Sequence, residues 1–319
     1  MSKAAIEPTH AETLSPRSFV GRLRDSDFVA SFLSSKMAVA AGAVTLILFL
    51  AAAFAPLIAP TNPFDPATNF LVDSLNPPRF VAGGDPRFLL GTDDQGRDMW
   101  SAILYGLRVS LVIGGLSVAL GGAIGITLGL IAGYAGGWID AVIMRIADVQ
   151  LTFPAILIAL LLDGVAHALL KNSNHEQTAF GVLVVSIGLS FWVQFARTVR
   201  GSTLVEKNRD YVQAARLIGL SPARILIRHV LPNVMGPVLV IATICLALAI
   251  ITEATLSFLG VGLPPTQPSL GTLIRIGQNF LFSGEWWIVA FPSVTLAVLV
   301  LAVNLLGDWL RDAFNPRLK

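Results

Sequence analysis

Six stretches of the chain, at about 37–59, 109–134, 149–162, 179–198, 234–259 and 286–306, are apolar and nearly free of charge. No other feature restricts the fold as much. The hydrocarbon core of a bilayer, about 30 Å thick, takes about 20 apolar residues as a helix. Inside it no water satisfies a backbone N–H or C=O, so a spanning segment must bond to itself, as a helix does. The fold expected is therefore an all-α membrane protein with six transmembrane helices. Composition agrees: of 319 residues, 54% are hydrophobic and 13% charged, outside the range of soluble domains. A formal net charge of +2, scattered among the loops, gives no footprint for nucleic acid.

Charge outside the spans sets the expected topology. Residues 1–36 are polar, carry Lys3, Arg17, Arg22, Arg24 and Lys36, and read as a cytoplasmic tail with a short helix near its end. The first span, 37–59, competes with a signal peptide, helped by Ala51, Ala52 and Ala53; the long polar tail and the long apolar run both argue against cleavage. The segment from Arg197 to Arg228 is the most basic connector, with seven Lys or Arg against Glu206 and Asp210, which places it in the cytoplasm. Loops 163–178 and 260–285 carry only Lys171 and Arg275, as outer loops should. Segment 60–108, the first outer segment, fits the rule less well, with Arg79, Arg87, Arg97 and Arg108. Six spans put both termini inside, the C-terminal one as a short tail over 311–319.

Several local features carry expectations. Prolines at 60, 63, 66, 77, 78 and 86 keep the first outer segment extended, and Thr92 or Asp93 suits the cap of a short amphipathic helix leading into span two. Within that span Ser117, Gly121, Gly125, Gly129, Gly133 and Gly137 recur every fourth residue. They form one groove of missing side chains, suited to close helix packing, within the subunit or against a partner. Residues 138–148 read as an amphipathic piece at the cytoplasmic surface, with Arg145 and Asp148 spaced to pair. Pro154 is placed to kink span three. His167 and His175 lie in the outer loop as solvated residues. Glu253 sits inside span five, about 27 Å beyond Met235 at 1.5 Å per residue, near the outer surface; an outer gate and a structural hydrogen-bonder both fit. Residues 270–283 read as an amphipathic surface helix. Cys245, the sole cysteine, excludes an intrachain disulfide and reads as a small core residue.

The connector at 208–232 has the build of a folded elbow. Asn208 or Asp210 can cap a first helix running to Ile218, and Gly219 suits its C-terminus. Ser221 and Pro222 form an N-cap and first-turn pair. Pro232 closes the second helix or marks the start of the next. Ala214 and Ala215 would let another surface approach the backbone closely.

This stretch resembles the coupling loop of permease subunits from ABC importers, E-A-A-x3-G-x9-I-x-L-P, with Gln213, Ala214, Ala215, Gly219, His229, Leu231 and Pro232 at the matching places. Gln213 and His229 depart from the pattern. Leu220, Ser221 and Pro222 complete the turn. The run Gly91-Thr-Asp-Asp-Gln-Gly-Arg-Asp98 resembles the narrower G-T-D-x-x-G-R-D signature of the peptide and nickel group, second permease subunit, as does 256–271. The resemblance covers about residue 37 to the end. It implies a type I ABC importer permease fold, with an importer domain over 109–310 that contains the elbow. It also implies a bacterial inner-membrane location, a second homologous permease, two cytoplasmic ATPase subunits docked on the elbow, and a periplasmic or lipid-anchored substrate-binding protein. No G-x-x-x-x-G-K-[ST] loop, H-E-x-x-H or G-x-S-x-G occurs, so ATP and Mg belong to the partner ATPases and this chain is expected to bind no cofactor or metal and to catalyse nothing. The alternative is a secondary transporter or channel not driven by ATP. It would want charged groups at mid-membrane, whereas here charges gather at the surfaces.

Overall fold

The computed structural model describes residues 27–314 except 66, 68 and 170–174. The described residues form helices and turns, and their only β pairing is an isolated bridge between Thr92 and Asp98. Helix α1 (Asp27–Ser34) turns at Ser35, whose hydroxyl accepts from the Ala38 amide and caps α2 (Lys36–Ala53). Phe54 breaks the helix, and Pro56 opens the single turn α3 (Ala55–Ile58). Helix α4 (Met99–Ala135) is 37 residues long. The short helix expected before span two and the span itself are thus one continuous helix. Its cap is Asp98, which accepts from the Ser101 amide, rather than Thr92 or Asp93.

After Ala135, Gly136 and Gly137 take positive φ (66° and 57°) and turn the chain into α5 (Gly137–Leu151). Pro154 does more than kink span three. The chain breaks at 152–154, and α6 (Ala155–Leu169) leaves at 93° to α5. Proline lacks the N–H that would continue the ladder and its ring clashes one turn back. Helix α7 (His175–Glu206) begins where an outer loop was expected. His167 and His175 therefore both fall on helices; their side chains lie outside the described residues. The elbow comprises α8 (Asp210–Leu217) and α9 (Pro222–Ile225). A π turn over Leu226–Val230 then leads into α10 (Leu231–Phe258). Helix α11 (Leu270–Gln278) and α12 (Trp287–Ala313) complete the fold. Five helices are long and apolar enough to span, and the bent α5–α6 pair would make a sixth.

The glycine groove explains the core. A Cβ on Gly121 would lie 2.6 Å from the Gly188 carbonyl oxygen, one on Gly129 2.6 Å from that of Ala196, and one on Gly133 2.7 Å from Thr203 Cβ. On Gly125 it would lie 2.5 Å from Phe195 Cβ. Ser117 is buried in the same row, its carbonyl facing Gly188. The row therefore packs within the subunit, α4 on α7, over more than four turns. Gly137 is not part of it, since the backbone has already turned away and a Cβ there would meet nothing. Around this pair α10 packs on α4 and α7, and α12 packs on α2, α10 and α11. Ile113, Leu183, Ile187, Phe195 and Val199 are buried between them.

Candidate functional site: an elbow and a knot at opposite ends of the spans

The elbow is ordered along its length. No side chain caps α8, whose N-cap is Arg209, so neither Asn208 nor Asp210 plays that part. Gly219 takes φ +77°, and the Leu220 amide reaches back to the Ala215 carbonyl, closing the helix as a left-handed C-terminal residue does. Pro222 starts α9 after an extended Ser221, whose side chain makes no capping bond. Pro232 neither ends nor begins a free-standing helix. It lies inside one apolar run, Pro222–Phe258, and the preceding turn widens so that the Leu231 amide bonds to Leu226, five residues back. Asn233 Nδ2 donates to the His229 carbonyl at 2.7 Å and to the Tyr211 hydroxyl at 3.2 Å. Tyr211 in turn donates to Glu206 at the end of α7. Burial first, then the Glu206 carboxylate, push the Tyr211 phenol up to about 12, so it stays a donor at every physiological pH.

These bonds fasten the elbow to the spans. Lys207 Nζ donates to the Gly133 carbonyl at 2.7 Å, and the Arg216 guanidinium lies 4.9 Å from the Tyr134 ring centroid. Arg200 holds Asp140 of α5, with Nη2 2.6 Å from Oδ2. Arg197 pairs with Asp148, so the expected Arg145–Asp148 pair gives way to a longer-range one.

Burial within the elbow corrects one expectation. Ala215 is 4% exposed and joins Val212, Ile225, Val230 and Val234 in the chain's own core. Its small size lets α8 lie close on the helix that follows, not on another protein. The outward face instead shows Gln213 and Ala214, with Leu217 at 88% and Ile218 at 75% exposure. Two large aliphatic side chains so exposed on a polar connector are the informative observation.

On the opposite end of the spans, residues 91–98 form a knot. Arg97 and Asp93 are both buried and paired at 2.6 Å. Asp93 Oδ1 also accepts the amides of Gln95 and Arg97, and Arg97 Nη1 donates to the Pro265 carbonyl at 2.8 Å. Trp287 Nε1 donates to the Thr92 carbonyl at 3.0 Å. Asp73 and Asp85 hold Arg87, and Arg87 keeps the Asp85 carboxyl below its usual range. Two of the arginines that fitted the charge rule poorly are thus internal partners of this folded segment.

Glu253 is fully buried. It accepts from Ser110 of α4 and Ser257 of α10, each at 2.7 Å, while Ser110 Oγ also accepts the Leu270 amide of α11. Of the two readings left open by the sequence, these bonds are those of a structural hydrogen-bonder joining three helices. The amphipathic helix expected over 270–283 covers Leu270–Gln278, with Leu270, Gly271, Thr272, Leu273 and Gly277 buried on one face, and Leu281–Ser283 forms a separate exposed turn. Ser110 lies 143 positions from Glu253 and 160 from Leu270, so no local pattern could announce those two bonds, whereas Ser257 is four residues from Glu253 on the same helix.

Residues 125–319 match the family described as binding-protein-dependent transport system inner membrane component. The chain belongs to that family. Residues 26–78 of this permease also match the N-terminal transmembrane domain of oligopeptide transport permease C. The di/tripeptide transport system permease protein DppC of Pseudomonas aeruginosa is 38% identical over 92% of each chain. The dipeptide permease DppC of Haemophilus influenzae is 37% identical, covering 95% of this chain and 98% of its own. The glutathione transport system permease protein GsiD of Pectobacterium atrosepticum is 39% identical over 92% and 91%. Among solved structures, the inward-facing MetNI methionine ABC transporter superposes with a TM-score of 0.53 at 20% identity, covering 67% of this chain and 97% of that one. The type I importer permease fold follows, and the permease is a membrane component of an importer that works with ATPase and substrate-binding partners.

Proposed function

We propose that this permease forms half of the path by which short peptides cross the bacterial inner membrane, paired with a second, homologous permease. Two cytoplasmic ATPase subunits bind ATP and Mg and dock on the elbow; a periplasmic or lipid-anchored binding protein delivers substrate to the other face. The chain itself catalyses nothing, and both of its termini lie in the cytoplasm. Relatives named for di- and tripeptides, dipeptides and glutathione share one substrate chemistry, a short peptide bearing free charged groups.

The observation that carries this reading is the elbow's double character. Its inner face is tied to α4, α7 and α10 by Lys207, Arg216, Tyr211 and Ala215, while its outer face presents Leu217 and Ile218. A stiff lever with an apolar tip passes a push from the ATPases into the helices that line the path. Closure shifts the equilibrium between inward- and outward-facing states only as far as ATP binding favours one of them. No observation favours the gradient-driven alternative. The test is uptake of labelled dialanine into proteoliposomes holding both permeases and the ATPases, with binding protein supplied. ATP-dependent uptake is expected. Uptake driven by a proton or sodium gradient and indifferent to ATP would overturn the reading.

A further inference from the structure

At the end of α10 away from the elbow lies a cavity of about 480 Å³, within the about 300–1,000 Å³ range of small-molecule sites. Its walls come from four elements: Asp163 and Gly164 of α6, Ala179 of α7, the 260–265 loop, and Arg275 in the last turn of α11. The arginine is held by the loop beside it. Gly260 takes φ +86°, and a Cβ there would lie 2.7 Å from Arg275 Nη1, so the guanidinium rests on the bare backbone of the loop. It is half-buried, and it forms no ion pair with a described residue. The rim is fixed from outside the cavity by the Arg97 bond to Pro265. Asp163, 7% exposed, puts a carboxylate on the same wall set.

We propose that this cavity receives a short peptide as it enters the path, Arg275 taking its terminal carboxylate. The proposal rests on the peptide reading above and names a contact for it. A guanidinium presents paired donors that match a carboxylate, and a half-buried cation with no counter-ion among the described residues gains more from an arriving anion than a solvated one does.

The test uses the assembled transporter in membrane vesicles with Gly164→Cys as the reporter. A Cβ at 164 meets open space, and the native Cys245 is buried, so maleimide carried by this chain, resolved from the other subunits on a gel, reads the cavity. Dialanine is expected to slow labelling, about threefold at twice its dissociation constant, since occupancy divides the rate by 1 + [L]/Kd. Dialaninamide, lacking the carboxylate, is expected to give no protection. Arg275→Gln should remove the dialanine effect while ATPase co-purification stays intact. If that variant does not assemble, Arg275→Lys decides instead, through a fall in the ratio of dialanine to dialaninamide protection. Equal protection by both peptides, no protection by either, or dialanine protection surviving Arg275→Gln would overturn the assignment. With ATP-driven dialanine uptake intact, such a result removes only this contact; absence of that uptake removes the peptide reading and this contact together.

Discussion

Two neighbouring alanines in the elbow have opposite surroundings. Ala214 is exposed, whereas Ala215 is sealed beneath α8 against Ile225 and Val230. An aspartate at each would do different things. At 215 it buries a charge without a partner inside the chain, which destabilises the hairpin itself. The residues that can report docking are those pointing away, above all Leu217 and Ile218. Leu217→Asp is expected to leave membrane insertion and thermal stability unchanged and to weaken ATPase binding by about 2 kcal/mol, roughly thirtyfold, as removal of an apolar interface anchor does. Co-purification of the ATPases across a salt and dilution series measures it. Undiminished recovery would place docking on another face. Glu253 makes the same point about context. A carboxylate in a span reads as a site by default, but with a serine on each oxygen it is satisfied, and its position joins α4, α10 and α11.

At the scale of elements, the seam between α4 and α7 does what apolar packing cannot do in lipid. The solvent there is as apolar as leucine, so association depends on close contact. Four glycines and Ser117 on α4, with Gly188 opposite, let the two backbones approach to distances that exclude a methyl group. Gly125→Ala is therefore expected to destabilise the permease by about 2–3 kcal/mol, the upper part of the range for overpacking, because the added carbon meets the Ala196 amide nitrogen at 2.9 Å as well as Phe195. Thermal unfolding of the purified complex measures this, with Gly115→Ala, where the added carbon meets nothing, as the control expected to be near neutral. Equal effects of the two would show that the seam does not hold the pair. The π turn before Pro232 belongs to this scale too. It keeps α9 and α10 as one lever across a proline, with Asn233 supplying a donor to the His229 carbonyl.

At the scale of the whole molecule, the bent pair α5–α6 decides topology. Helix α6 has 15 residues, about 22 Å at 1.5 Å per residue, short of a full span alone. If the pair crosses, the number of crossings is even and both termini share a side; if it returns, they part. The packing of α4 on α7 requires crossing: Gly121 meets Gly188 and Gly133 meets Thr203, so the two helices run parallel and the pair between them must carry the chain from one end of the spans to the other. Fusions of green fluorescent protein and alkaline phosphatase to each terminus are expected to give fluorescence without phosphatase activity at both. Phosphatase activity at either end would overturn this topology.

The sequence alone determined what depends on near neighbours and on solvent: helices where twenty apolar residues follow one another, a glycine groove at four-residue spacing, and a turn where Gly219 and Pro222 fall between two short helices of a basic connector. It placed the outer knot too, as a motif without a mechanism. Only the tertiary structure decided which helix fills the groove, that Ala215 faces inward, that Glu253 is a bridge, and that Arg97 reaches Pro265 across 168 positions. Those are contacts between residues far apart in the chain. In a membrane, where every helix is apolar on most sides, the periodicity that tells an inner face from an outer one in water is largely erased, so the choice of neighbours is left to shape and to a few buried polar bonds.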